Sequence, residues 1–207
     1  MQYLKLTPVF LDIETTGLSP LNDEIVAVGI RTIDFKTKQY NPWEYEKFLD
    51  NKILTRKDFS EDELISAALH YLMREGACII GYNVIGFDIP FITARALFNK
   101  HNVRTLSLLR QQYRIDLMHV VTRYLLTNNR HVKLNDITQF LGIEVNNQIT
   151  GKDIPDLYEK GEFEKIEEHC FNDLENTYHL FMKLKDLCIH NLQRRYNLDC
   201  TVVFEGL

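Results

Sequence analysis

Apolar residues run almost unbroken through Val9, Phe10, Leu11 and Ile13. The run is short and lacks a helical period, which predicts a buried central strand over residues 8–14. Thr15-Thr16-Gly17 ends it, and Ser19-Pro20-Leu21-Asn22 marks a turn. Residues 24–33 are rich in β-branched side chains and predict a second, long strand. The short loop between them makes the two strands antiparallel neighbours. A weaker strand signal lies near residues 44–50. Ser60 and Glu63 form a capping-box pattern ahead of Leu64, Ala68 and Leu72, predicting a helix that ends near Gly76. Residues 77–81 are a short apolar run and predict a buried parallel strand. The next helix starts around Asp88, has Pro90 in its first turn, and is expected to carry Ile92, Leu97 and Phe98 inward. Residues 116–126 and 133–141 read as helices, the second stopped by Gly142. Between residues 161 and 188, Phe163, Ile166, Cys170, Leu174, Phe181 and Leu184 recur at three- and four-residue steps, the stripe of an amphipathic helix.

Strands first, then helices alternating with short strands, predict an α/β chain: a mixed sheet flanked by helices. At 207 residues one domain is the expectation. A hydrophobic fraction of 45% with 26% charged residues is that of an ordinary globular protein and excludes a disordered or fibrous chain. No run approaches the roughly 18 apolar residues of a membrane span. Met1-Gln2-Tyr3-Leu4-Lys5 lacks the sections of a secretion signal, so a cytoplasmic location without membrane partners is expected. Cys78, Cys170, Cys188 and Cys200 include no Cys-x-x-Cys pair, which argues against zinc, redox or disulfide frameworks. The first three read as small core residues. A net charge of −5 argues against broad coating of nucleic acid. It leaves room for an enzyme that grips a few nucleotides at a metal site.

The chemistry begins inside the first strand. Successive side chains of a strand alternate faces, so Asp12 and Glu14 share one. Two like charges at the end of a buried strand repel, and desolvation adds to the cost. A hard divalent cation such as Mg²⁺ or Mn²⁺ resolves both. A second acid, Asp88, follows a loop with two glycines and Asn83, whose backbone needs unusual torsions. A third set is His169 and Asp173, four residues apart on one helix face. A helix cap for Asp88, and a solvated His–Asp pair for the third set, are the plainer alternatives.

These three stretches resemble the motifs of the DEDD superfamily of 3′-5′ exonucleases. The first is Phe10-Leu11-Asp12-Ile13-Glu14-Thr15-Thr16-Gly17-Leu18. The second is the Asn-x-x-x-Phe-Asp of Asn83, Phe87 and Asp88, and the third is His169-Cys170-Phe171-Asn172-Asp173. Residues 133–143 and 156–170 match as well. The resemblance runs from about residue 8 to 188 and points to stand-alone relatives of the proofreading domain of B-family DNA polymerases. It implies the ribonuclease H-like fold, a mixed central sheet with one antiparallel strand. It also implies that Asp12, Glu14, Asp88 and Asp173 hold two Mg²⁺ or Mn²⁺ ions, and that His169 orients or deprotonates the attacking water. Thr15, Thr16 and Gly17 would hold the terminal nucleotide, Leu18 would wedge between bases, and Asn83 and Phe87 would shape the pocket. The implied substrate is the 3′ end of single-stranded or frayed nucleic acid, DNA before RNA, releasing nucleoside 5′-monophosphates. A short-RNA exonuclease and an inactive binding module are the rival readings.

One departure is plain. The proofreading-type subgroup carries Tyr-x-x-x-Asp and the other carries His-x-x-x-x-Asp, whereas this chain has His169 at the Tyr spacing. The subgroup stays open. Arg130, His131 and Lys133 form a small basic loop, read equally as a backbone contact or a solvated turn. Residues 189–207, with Arg194-Arg195-Tyr196 and Cys200-Thr201-Val202-Val203-Phe204, are open between an edge strand, a homodimer contact and a nucleic-acid contact.

Overall fold

The computed structural model describes residues 3–33, 49–127, 131–144 and 149–204. β1 (Tyr3–Thr15) is the spine of a six-stranded sheet. It pairs antiparallel with β2 (Ile25–Ile33), which pairs antiparallel with β3 (Leu49–Thr55). On β1, β4 (Ala77–Gly81) pairs in parallel, and β5 (Tyr113–Asp116) follows β4 in parallel. β6 (Thr201–Phe204) pairs in parallel with the first residues of β1, Tyr3 to Leu6. Among the described strands β2 alone therefore runs against β1, the mixed sheet with one antiparallel strand that the motifs imply.

The alternation along β1 sorts its side chains into two layers. Val9, Leu11 and Ile13 face a core shared with α1 (Glu61–Leu72) and α2 (Asp88–Phe98). Leu6 and Phe10 face the opposite core, with α4 (Leu117–Tyr124), α5 (Leu134–Phe140) and α7 (Phe163–Tyr196). Phe10 meets Tyr178 and Phe181 of α7 edge-on, with ring centroids 5.5 Å apart in each pair. Asp12 and Glu14 continue the Phe10 face, so the acidic pair is aimed at α7. Opposite them on β2 stand Gly29 and Ala27. These small residues let the helix lie close.

Ser60 caps α1 with a complete capping box. Glu61, in the same turn, accepts from the Ile25 N–H at 2.9 Å, from Arg95 Nε and Nη2 at 2.7 Å each, and from Asn99 Nδ2 at 3.1 Å. A single buried carboxylate thus ties α1 and α2 to the start of β2.

Several expectations change. β1 begins five residues earlier than predicted, because its first turn of chain is covered by β6. The third strand lies at Leu49–Thr55, and residues 44–48 fall outside the described set. Leu97 and Phe98 do not face inward: they are exposed, at the last turn of α2. The buried face there is Ile89, Ile92 and Ala96, while the Phe98 ring is covered by the Arg95 guanidinium 4.4 Å from its centroid. α3 (Val103–Leu109) and β5 carried no clear periodic signal. Asp116 ends β5 and caps α4, accepting from Met118 N–H at 3.1 Å. Gly142 follows α5 with φ +69°, as a helix stop requires. α7 continues past residue 188 to Tyr196, and residues 201–204 form an edge-type strand pairing on β1. Cys78, Cys170 and Cys188 are buried and free. Among the described residues no helix is long and apolar enough to cross a membrane.

Gly29 carries the tightest part of this packing. A Cβ there would stand 2.6 Å from Cys170 Sγ and 2.8 Å from Leu174 Cδ1. Gly29→Ala should therefore destabilise by roughly 1–3 kcal/mol through overpacking, despite the gain in strand propensity. Chemical denaturation measures this, and an unchanged midpoint would show that α7 does not press on β2.

Candidate active site

The parallel strands β1, β4 and β5 all end on one side of the sheet, and a cleft of about 810 Å³ opens there. Such carboxyl-end crevices are where open α/β sheets place ligands. Asp12, Glu14, Thr15, Gly17, Leu18, Phe87, His169 and Asp173 line it.

The four acids are placed by three elements. Asp12 and Glu14 project from β1 because they are two residues apart. His169 and Asp173 project from α7 because they are one helical turn apart. His169 Nε2 lies 3.5 Å from Glu14 Oε1 and 3.8 Å from Asp173 Oδ2. The side chains of Glu14 and His169 are buried, and that of Asp173 is 22% exposed. Asp88 sits at the first position of α2, after the N-cap residue Phe87. Its Oδ1 accepts from the Ile13 N–H at 3.1 Å, between the two β1 acids. Asp88 is buried behind the cleft and is absent from its lining.

This crowding disfavours the ionised forms. Burial, then Glu14, Asp173 and Asp88, push the Asp12 carboxyl well above its usual range. Burial, then Asp173 and Asp88, do the same to Glu14. Burial raises Asp88 to about 7, against the opposing hydrogen bond from Ile13. The Cys170 thiol donates to Asp12, yet Asp12 Oδ2 is shielded from solvent and has no hydrogen-bond partner among the described residues. A bound cation is one way such a buried carboxylate oxygen is satisfied. Ligand atoms of Glu14, His169 and Asp173 lie within 4.8 Å of one another, as do those of Asp12, Glu14 and Cys170.

The other motif residues take distinct places. Thr15 Oγ1 donates to Gly17 O at 2.6 Å, shaping the turn at the cleft wall. Thr16 is turned away: its hydroxyl accepts from the Glu24 N–H at 3.0 Å, and it does not line the cleft. Leu18 is 85% exposed at the rim. Asn83 also lies off the cleft lining, where it makes the loop. It has φ +63°, and its Oδ1 would stand 2.4 Å from a Cβ at Gly86. Lys133 reaches the cleft, His131 is exposed, and Arg130 falls outside the described residues. Glu168 is exposed.

Two features escaped the motifs. Asp116 accepts from the N–H groups of Asn83 and Ile85, each at 3.0 Å, and so holds the loop that delivers Asp88. An Asp ending a strand ahead of Leu117 reads only as a cap, so its second duty left no trace in sequence. The segment Ile149, Thr150, Gly151 and Lys152 forms another wall. Its signal was Thr150 with Asp153, whose carboxylate accepts from both the Thr150 N–H and hydroxyl at 2.8 Å ahead of Pro155.

The comparisons with known proteins agree with this fold. The family model of the RNase H superfamily matches residues 9–185. The uncharacterized protein MJ0365 of Methanocaldococcus jannaschii is 32% identical over 190 residues, covering 87% of this chain and 97% of that protein. Among solved structures, the family B DNA polymerase of the archaeon Pyrobaculum calidifontis superposes with a TM-score of 0.65 at 17% identity, over 87% of this chain and 24% of that one. Exonuclease I superposes with a TM-score of 0.61 at 15% identity, over 93% of this chain and 45% of that one. E. coli exonuclease I in complex with a dT13 oligonucleotide does so at 0.53 and 16% identity, over 93% and 42%. The chain thus spans less than half the length of these solved structures, which share its ribonuclease H-like fold. The chain belongs to the RNase H superfamily.

Proposed function

We propose that this protein is a divalent-cation-dependent 3′-5′ exonuclease that releases nucleoside 5′-monophosphates from single-stranded or frayed DNA ends. The observation that carries the reading is the gathering of Asp12, Glu14, Asp88 and Asp173 at one end of the sheet. Burial raises the protonation of Asp12, Glu14 and Asp88, repulsion from neighbouring acids adds to it at Asp12 and Glu14, and Asp12 Oδ2 lacks a partner among the described residues. A donor set of carboxylate oxygens fits Mg²⁺ or Mn²⁺. Two such ions held by these acids would supply charge neutralisation for the attacking and leaving oxygens of an in-line displacement at phosphorus.

The remaining residues have their own work in this reading. His169, buried between Glu14 and Asp173, takes the proton of the attacking water. Leu18 and Phe87 offer apolar surface to bases without reading sequence. Lys133 and Lys152 set two cations in the cleft wall, suited to phosphates of the strand. Exonuclease I, of similar fold, binds a dT13 oligonucleotide, which supports a single-stranded DNA substrate here.

Purified protein with Mn²⁺ should shorten a 5′-labelled single strand stepwise, and Asp12→Ala should abolish this. Matched DNA and RNA oligonucleotides in the same assay are expected to show the faster rate on DNA. Equal activity in wild type and Asp12→Ala would remove the metal-site reading. His169→Gln should lower kcat by about 10²–10⁴-fold, the usual contribution of a general base, with KM nearly unchanged. Steady-state kinetics separate the two constants.

Stability should report the same groups. Asp12, Glu14 and Asp88 hold protons more tightly folded than unfolded. Their contribution is therefore fully present below the unfolded carboxylate range near pH 4 and is lost as pH rises through their folded values, for Asp88 about 7. Cation binding needs the ionised forms. Mn²⁺ or Mg²⁺ should then raise the melting temperature clearly at about pH 8 and little at about pH 5. Thermal melts with and without chelator test this, and equal shifts at both pH values would count against the acids as ligands.

A further inference from the structure

The far end of α7 carries a second concave surface. A groove of about 720 Å³ is lined by His119, Thr122 and Arg123 of α4 and by Asn191, Arg194 and Arg195 of α7. Arg194 also lines an adjoining groove of about 930 Å³ that reaches Cys200 and Thr201 at the start of β6. Arg110 and Arg114 adjoin the same cluster. Burial and then the charges of Arg195 and Arg110, partly countered by Tyr196, lower the Arg114 pKa. On a chain of net charge −5 this is an unusual concentration of cations.

Among the described residues Arg110, Arg114, Arg123, Arg194 and Arg195 form no ion pair with a carboxylate. The nearest acid along the grooves, Asp199, lines only the second. Arg123, Arg194 and Arg195 are exposed. The Thr122 hydroxyl, bordering the groove, has no hydrogen-bond partner among the described residues. Unpaired guanidinium groups around a concavity fit a polyanion, and planar forks of donors match phosphate oxygens.

The groove and the cleft are built on helices of one layer. α4, α5 and α7 pack into one core, the cleft is lined by Leu134 and Asn135 of α5, and the groove by α4. Both also use α7, at opposite ends. At a rise of about 1.5 Å per residue, Arg194 lies roughly 38 Å from His169 along the helix axis. That is about the length of 11 stacked nucleotides at a 3.4 Å rise.

We propose that the Arg123, Arg194 and Arg195 groove binds the phosphate backbone of the substrate strand upstream of the end held in the cleft. This rests on the nucleic-acid reading of the cleft and extends it. Phosphate contacts carry no sequence information, so the groove adds affinity without sequence choice and favours long strands. Short products then leave freely while long substrates stay bound.

The test compares the full-length wild type with Arg123→Glu/Arg194→Glu/Arg195→Glu on 5′-labelled DNA and RNA of about four and about thirty nucleotides, only the longer able to span both sites. Binding is read by fluorescence anisotropy in chelator, and hydrolysis in Mn²⁺. The variant should bind the long strand at least about tenfold more weakly at low salt, with a salt slope shallower by about 2. Its hydrolysis of the short strand should be unchanged. Equal long-strand affinity in both proteins overturns the groove. Circular dichroism checks folding, and if the triple variant is unfolded, Arg194→Gln/Arg195→Gln decides by the same readouts. Wild type that binds the long strand through these arginines but hydrolyses nothing removes the exonuclease reading and leaves the groove. Wild type that hydrolyses both lengths alike, unaffected by the substitutions, removes the groove and leaves the exonuclease.

Discussion

Repulsion among buried carboxylates is the constraint around which this structure is arranged. Asp12, Glu14, Asp88 and Asp173 come from three separate stretches of chain and meet where water is largely excluded. Left alone, such a cluster drives its own elements apart. It is held by packing that ignores charge. Phe10 locks β1 to Tyr178 and Phe181 a few residues from the acids, and Gly29 lets Cys170 and Leu174 settle against β2. Donors then soften the cluster locally: the Ile13 N–H on Asp88 and the Cys170 thiol on Asp12. The apolar contacts supply the stability, and the acids consume part of it, as strained functional sites commonly do.

The frame around the cluster is built from polar groups that each serve several elements. Asp116 ends β5, caps α4 and fixes the Asn83 loop through two N–H groups. Glu61 caps nothing itself but joins α1, α2 and the edge of β2 through Arg95, Asn99 and Ile25. Both lie beside the carboxyl ends of the strands, where the cleft is. Rigidity is thus concentrated where ligand groups must be held within fractions of an ångström.

Sequence reading recovered what depends on short spacing. The i, i+2 pair on β1, the i, i+4 pair on α7, the capping box at Ser60 and the helix stop at Gly142 are local geometry, and local geometry is written in the chain. What stayed hidden depends on partners distant in sequence. Gly29 reads as a weakness in a strand until α7 is laid over it. Leu97 and Phe98 read as core because an apolar residue at a helix end gives no sign that the sheet stops before it. β5 is too short for a period to show, and Asp116 shows one duty of three. The pairing of β6 with Tyr3 to Leu6 had no signal beyond β-branched residues, so a sheet-forming role for the C-terminal stretch was one option among three.

That last pairing has a kinetic side. Thr201 meets Tyr3, and α7 must already lie across the sheet for β6 to reach it. Contacts of such long sequence separation are slow to close, because the loop entropy is lost before the contact repays it. Asp173 on α7 therefore joins the acids of β1 and Asp88 late, and its share of the repulsion falls on the docking of the last large element, as a brake on folding and a spur to unfolding.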